Sequence, residues 1–377
     1  MPVVDADTHV VETEHTWDFL DPSEEKYRPI VVAPRGEEGR FYWYVDGKIR
    51  GLARNAVTAQ DVKKLEQLTG RRMDAPEAAR TGENVQVRLD HMDRLGVDVQ
   101  VLWPTIFLER VADKPEVEAA VCRSYNRWLA GIWGQSQNRL RWMAVLPLQT
   151  MSEAIEQLDY CQAHGAVGIF MRGIEGEWLV NDPYFDPLYH EVIRRNMVVG
   201  VHAGIGNPYM AEMMQRRNTP GTFWRYRMTG VGAFHALVME GMPDRLPGLR
   251  MVFVELAAAW LPYVLNDLKR RLPQQKGRQL PDEPLKAYRI YVSCQSDDDL
   301  PYIMKHAGTD NIVMGTDYGH NDHAADLEGL RNLANSGDIS QEIYRKVVDE
   351  NPTRAYALGQ DATPIASGAS GNGTSRA

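Results

Sequence analysis

Two rhythms of apolar and polar positions alternate along this chain. Short apolar runs rich in β-branched residues recur as VVDADTHVVE (3–12), VDVQVLWPT (97–105), RWMAVLPLQ (141–149), AVGIFMRG (166–173), NMVVGVHAG (196–204), LRMVFVELA (249–257), RIYVSCQ (289–295) and NIVMGTDYG (311–319). Runs of this length and character predict parallel strands covered on both faces. Between them, VQVRLDHMDRLG (85–96), VEAAVCRSYNRWLAGIW (117–133), EAIEQLDYCQAHG (153–165) and PYFDPLYHEVIRRN (183–196) carry apolar residues at helical spacing. Strands alternating with helices predict βαβ units, and eight repeats are the count of a closed (β/α)8 barrel of the α/β class. No glycine-rich nucleotide loop follows the first strand, and GIGNP (204–208) is too weak a match to be one.

Two stretches leave this rhythm. Residues 31–60, with RFYWYVDGKI, predict a small β-hairpin inserted after the first strand and turning at Asp46-Gly47. The stretch from 359 to 377 is small, polar and glycine-rich and is expected to be disordered. Residues 1–358 are thus expected to form a single barrel domain, with 31–60 as its insertion.

Bulk composition narrows the partners. The chain has 377 residues, 44% hydrophobic, with a net charge of -9, which argues against a nucleic-acid surface. No apolar run approaches the roughly 20 residues of a membrane span, and the N-terminus lacks the progression of a secretory signal. Cys122, Cys161 and Cys294 form no C-x-x-C pair, a pattern of reducing compartments rather than of thiolate metal sites. The expectation is a cytoplasmic protein acting on a small molecule, without nucleic acid or membrane.

Chemistry collects at the ends of the apolar runs. Asp5, Asp7 and His9 fall on alternate positions, hence on one face of an extended strand. The C-terminal strand ends, where barrels of this kind build active sites, carry Asp7, His9, Trp103, Gln149, Arg172, His202, Glu255, Ser293 and Asp317. Two imidazoles and three carboxylates from four strands are the composition of a site for zinc, manganese or iron. Asp5, one step deeper, reads either as support for the ligands or as a solvated acid.

Asp7-Thr8-His9, His202, Glu255 and Asp317 in GTDYGH, together with GMPDRLPGLRMVFVELAAAWLPYVLNDL and DNIVMGTDYGHND, resemble the amidohydrolase superfamily over about residues 1–358. The resemblance is to the amidohydrolase-related branch of aminocarboxymuconate semialdehyde and resorcylate-type decarboxylases. It implies a TIM barrel holding one or two divalent ions on Asp7, His9, His202, Asp317 and Glu255, with Asp317 also a proton shuttle. The family's first-strand histidine pair is Asp7 and His9 here, and its sixth-strand position, often histidine, is Glu255. The fourth strand offers Met171 and Arg172 where some relatives place a carboxylated lysine. The implied activity is hydrolysis or non-oxidative decarboxylation, with Asp317, Glu255, Arg172 and His320 as catalytic candidates, in a homo-oligomer.

Other readings stand beside these. A carboxylate-rich pair of irons, or iron and manganese, would suit dioxygen-dependent hydroxylation. A degenerate barrel would serve as a non-catalytic metal-binding subunit beside a paralogue. Arg172 reads as a substrate-carboxylate clamp or equally as a structural ion-pair residue. Trp103 and Trp260 are expected as flat walls of the site, and His235 as either core or site-facing. Asp322 and His323 read as capping or solvated residues. His15, His91, His164, His190 and His306 are expected at the surface, and Trp128, Trp133 and Trp142 in the core.

Overall fold

A computed structural model describes residues 2–33, 35, 40–53, 59–216, 223–322 and 324–359. His323, parts of the 31–60 stretch and the tail after 359 lie outside these. Each of the eight apolar runs contains a strand: β1 Val4–His9, β2 Val99–Trp103, β3 Leu140–Ala144, β4 Ala166–Arg172, β5 Val198–His202, β6 Met251–Val254, β7 Ile290–Cys294 and β8 Ile312–Met314. They pair in sequence order, every neighbouring pair parallel. Helices such as Val85–Leu95, Pro115–Gly134, Met151–Ala163 and Asp186–Arg194 make the crossovers. The fold is the (β/α)8 barrel.

The barrel closes where β8 returns to β1. A parallel bridge joins Thr8 to Tyr318, and the Asp317 N–H donates to the Asp7 carbonyl at 3.0 Å. Gly315 permits this seam, since a Cβ there would stand 2.2 Å from the Asp7 Cβ. Inside the barrel, the Trp103 ring occupies the space opposite Gly200, where a Cβ would meet it at 2.2 Å. Trp128, Trp133 and Trp142 are buried as expected.

The β1 pairing slips by one residue between Asp5 and Thr8. Such a bulge breaks the two-residue alternation and re-aims the side chains beyond it. Asp5, Asp7 and His9 therefore do not form the uninterrupted face that simple alternation predicts. The hairpin is as expected: Tyr42–Val45 and Lys48–Leu52 flank Asp46 and Gly47, at φ 50° and 74°, the backbone of a two-residue hairpin turn. A third strand, Ile30–Val32, pairs with it. The Asp46 carboxylate accepts from the N–H groups of Asp113 and Lys114, both at 2.9 Å, tying the turn to the helix Pro115–Gly134. The three cysteines are buried and unpaired. Among the described residues no helix is long and apolar enough to cross a membrane.

Gly315→Ala forces the Asp7 backbone away from the seam and is expected to cost about 1–3 kcal/mol, as overpacking does. The measurement is the urea midpoint, which should fall at unchanged slope. A midpoint equal to wild type contradicts the close approach.

Candidate metal centre

Four elements deliver six side chains to one end of the barrel. Asp7 and His9 come from β1 and His202 ends β5, while Glu255 directly follows β6. Asp317 and His320 lie in the loop after β8. All six are buried, none more than 8% exposed. Glu255 and Asp317 are both held at positive φ, 57° and 53°. For a side-chain-bearing residue that backbone costs on the order of 1–2 kcal/mol and persists only where the surroundings impose it.

The centre is assembled from lone pairs. His9 Nδ1 faces the Pro104 carbonyl at 3.0 Å and His202 Nδ1 the Ala203 carbonyl at 2.8 Å. Each Nδ1 thus carries its ring's proton and donates it, leaving the lone pair on Nε2. The two Nε2 atoms then face each other at 3.1 Å. Around them stand Asp317 Oδ1, 3.3 Å from His9 Nε2, and Glu255 Oε2, 3.4 Å from His202 Nε2. Asp7 Oδ1 lies 3.5 Å from His202 Nε2. Asp7 Oδ1, Glu255 Oε2, both Asp317 oxygens and His320 Nδ1 are buried without a hydrogen-bond partner. Unpaired buried acceptors are costly, and so many aimed at one point fit a cation.

Electrostatics agree. Burial pushes the Glu255 carboxyl well up, with Asp317 adding to it, and burial together with the charges of Asp322 and Asp7 does the same to Asp317. A divalent ion would reverse both shifts. Burial opposes charge on His202, but the Asp7 carboxylate outweighs it and raises the imidazole above its ordinary value. His9 is driven the other way by burial and by the neighbouring imidazoles.

Support comes from a surrounding layer. Asp5 accepts from the backbone N–H and the hydroxyl of Thr316, fixing the residue before Asp317; it supports the site and is not solvated. Arg88 is fully buried and donates to the His9 carbonyl at 2.9 Å, Gln100 Oε1 at 2.8 Å and Thr8 Oγ1 at 3.2 Å. Glu12 accepts from the N–H groups of Thr105 and Ile106, both at 3.0 Å. Sequence reasoning passed over Arg88 and Glu12. Arg88 left a signal, standing at apolar-face spacing with Val85, Leu89 and Met92 in its helix.

Several expectations are corrected. Arg172 is no open clamp: Glu175 occupies its Nε side, and its remaining terminal nitrogen donates to the Phe107 carbonyl at 3.0 Å. It is the structural ion-pair residue. Trp103 is core packing at the His202 ring, 5.2 Å between centroids, rather than a wall. Trp260 packs edge-on against Phe234 at 5.0 Å. His235 pairs with Asp267 at 3.1 Å between two outer helices, neither core nor site-facing. His91, expected outside, is buried against the Tyr318 hydroxyl at 3.0 Å. His164 is half-buried, while His15, His190 and His306 are exposed. Gln149 and Ser293 spend their side chains on backbone carbonyls. Asp322 accepts from the Ala324 N–H at 2.7 Å, a turn contact rather than a helix cap, and its charge also acts on Asp317 and Glu255.

Because a cation must displace the proton that Asp7 stabilises on His202, affinity for a divalent metal is expected to fall as pH drops through the raised range of that imidazole. Each displaced proton gives about a tenfold loss per pH unit, and the protons that burial holds on Glu255 and Asp317 add to that of His202. Chelator competition between pH 8 and pH 6 measures it, and a pH-independent Kd contradicts the reading.

A family model described as Amidohydrolase matches residues 4–358. Solved structures share the fold at low identity. An amidohydrolase from Mycobacterium avium subsp. paratuberculosis is 18% identical, with TM-score 0.71 over 93% of this chain and 97% of that one. 5-Carboxyvanillate decarboxylase from Sphingomonas paucimobilis is 17% identical, with TM-score 0.63 over 94% and 99%. A dihydroxybenzoic acid decarboxylase from Polaromonas, solved with manganese and 2-nitroresorcinol, is 19% identical, with TM-score 0.62 over 96% and 98%. Barrel, strand-end donors and family match agree, and the chain belongs to the amidohydrolase family.

Proposed function

We propose that this protein is a metal-dependent enzyme that removes carbon dioxide non-oxidatively from a small carboxylate-bearing substrate. The observation that carries the metal-dependent part is the pair of imidazole Nε2 atoms at 3.1 Å, ringed by buried, unpartnered carboxylate oxygens. The decarboxylase names of two solved relatives, one with manganese bound, support the reaction class. Two imidazoles with three carboxylates form a hard, anionic donor set, which favours manganese or iron over zinc.

A divalent ion held by Asp7, His9, His202, Glu255 and Asp317 would polarise a bound carboxylate or carbonyl and lower the pKa of a bound water from about 16 towards 7. The chain's own residues supply the rest. The substrate's carbon–carboxylate bond breaks, the electron pair stays on carbon, and that carbon takes a proton. Asp317 would carry it, a role supported by its two unpartnered oxygens and by the positive-φ backbone and the Asp7 carbonyl that hold it at the seam. Burial of the cluster keeps bulk water from its donor atoms. Hydrolysis is the second reading, favoured by the same free Asp317 oxygens, which would equally accept a proton from an attacking water. Dioxygen chemistry gains no support from these relatives.

A panel of hydroxybenzoates and unsaturated carboxylates, offered to manganese-loaded protein and followed by carbon dioxide release, tests this. Turnover is expected for at least one compound, lost after dialysis against a chelator and restored by metal. Asp317→Asn should lower kcat by about 10²–10⁴-fold, the usual worth of a positioned proton carrier, with unchanged circular dichroism. Full activity in Asp317→Asn would remove Asp317 as the proton carrier, whereas no turnover of any compound by the metal-loaded wild type would return the chain to the reading of a non-catalytic subunit.

A further inference from the structure

The candidate ligand atoms at the mouth fall into two sets. Asp7, His9 and His202 bring ligand atoms within 4.8 Å of one another, and so do His9, Glu255, Asp317 and His320. Among the described residues the six side chains do not form a single group of that size. Donors to one ion stand no further apart than two bonds of about 2.1 Å each. His9, with one lone pair on Nε2, serves one set only.

His320 decides how the second set is read. The Thr105 hydroxyl donates its only proton to the Val10 carbonyl at 3.0 Å, so it faces His320 Nε2, at 3.1 Å, as an acceptor. Nε2 therefore holds the ring's proton and Nδ1 the lone pair. That lone pair stands 2.9 Å from Asp317 Oδ1, yet neither atom makes a hydrogen bond. An ordinary His–Asp ion pair would place an N–H along that line. Two acceptors at this distance repel each other unless a positive charge lies between or beside them. The ring is not free to turn away, being stacked on His9 at 3.6 Å with planes 22° apart and 7% exposed. Glu255 Oε2 completes the second set as another buried acceptor without a partner.

We propose that His320 is a metal ligand, and that Glu255, Asp317 and His320 form a second divalent-cation set beside Asp7, His9 and His202. This rests on the reading of the cluster as a metal centre and assigns it two ions. Two ions side by side suit a substrate that presents two oxygens, such as a carboxylate next to a hydroxyl.

Full-length protein loaded with manganese and freed of excess is analysed by elemental mass spectrometry and electron paramagnetic resonance. Two ions per chain with an exchange-coupled spectrum are expected in the wild type. His320→Ala should retain one ion, with the six-line spectrum of isolated manganese, at a Tm close to wild type. One ion in the wild type overturns this inference and leaves the metal-dependent function standing, whereas none overturns both. Two ions in His320→Ala remove His320 from the ligand set. A folded His320→Ala without metal contradicts the division into two sets. Should His320→Ala fail to fold, the wild-type stoichiometry and spectrum still decide.

Discussion

Two histidine nitrogens, each with its lone pair exposed and its other nitrogen tied to a backbone carbonyl, meet at 3.1 Å in the barrel mouth. Without a positive charge between them this arrangement is repulsive, and it is surrounded by carboxylates that burial makes expensive to ionise. A proton on His202 relieves it in part, which is the direction in which Asp7 shifts that imidazole. A divalent cation relieves all of it. Much of the surrounding architecture exists to hold these like-natured groups together.

That holding is visible in the backbone. Glu255 and Asp317 stand at the ends of β6 and β8 in left-handed conformations that strands do not otherwise adopt. Gly315 lets β8 approach Asp7 at the seam, and Asp5 grips Thr316 just before Asp317. On the other side Arg88, a buried guanidinium, binds the carbonyl of His9 itself. The strain at the mouth is thus distributed over a packed barrel. A rigid shell of this kind positions first-contact groups more tightly than loops do.

Much of this was legible in the sequence because barrels segregate their chemistry. Strands buried on both faces read as apolar runs, so an ionisable residue at a run's end stands out, and Asp7, His9, His202, Glu255 and Asp317 were all found that way. What stayed hidden depends on contacts between distant residues. The bulge in β1 follows from pairing with β2, not from the composition of VVDADTHVVE. Arg172 sits at a strand end like a ligand, and only Glu175, three residues on, shows that its charge is already matched. His91 lies in an amphipathic helix and is buried because Tyr318 comes from the far end of the chain. His320 could be placed near the site from its distance to Asp317, but its free nitrogen depends on Thr105, a partner 215 residues away.

The central claim is that a cation occupies the space between His9 and His202. Crystals of the full chain grown from metal-loaded protein, with diffraction recorded on both sides of the manganese, iron and zinc absorption edges, test it directly. The account predicts an anomalous peak at bonding distance, about 2.0–2.3 Å, from both Nε2 atoms and from a carboxylate oxygen. A mouth with no anomalous density, and the two rings joined by a shared proton, would contradict it.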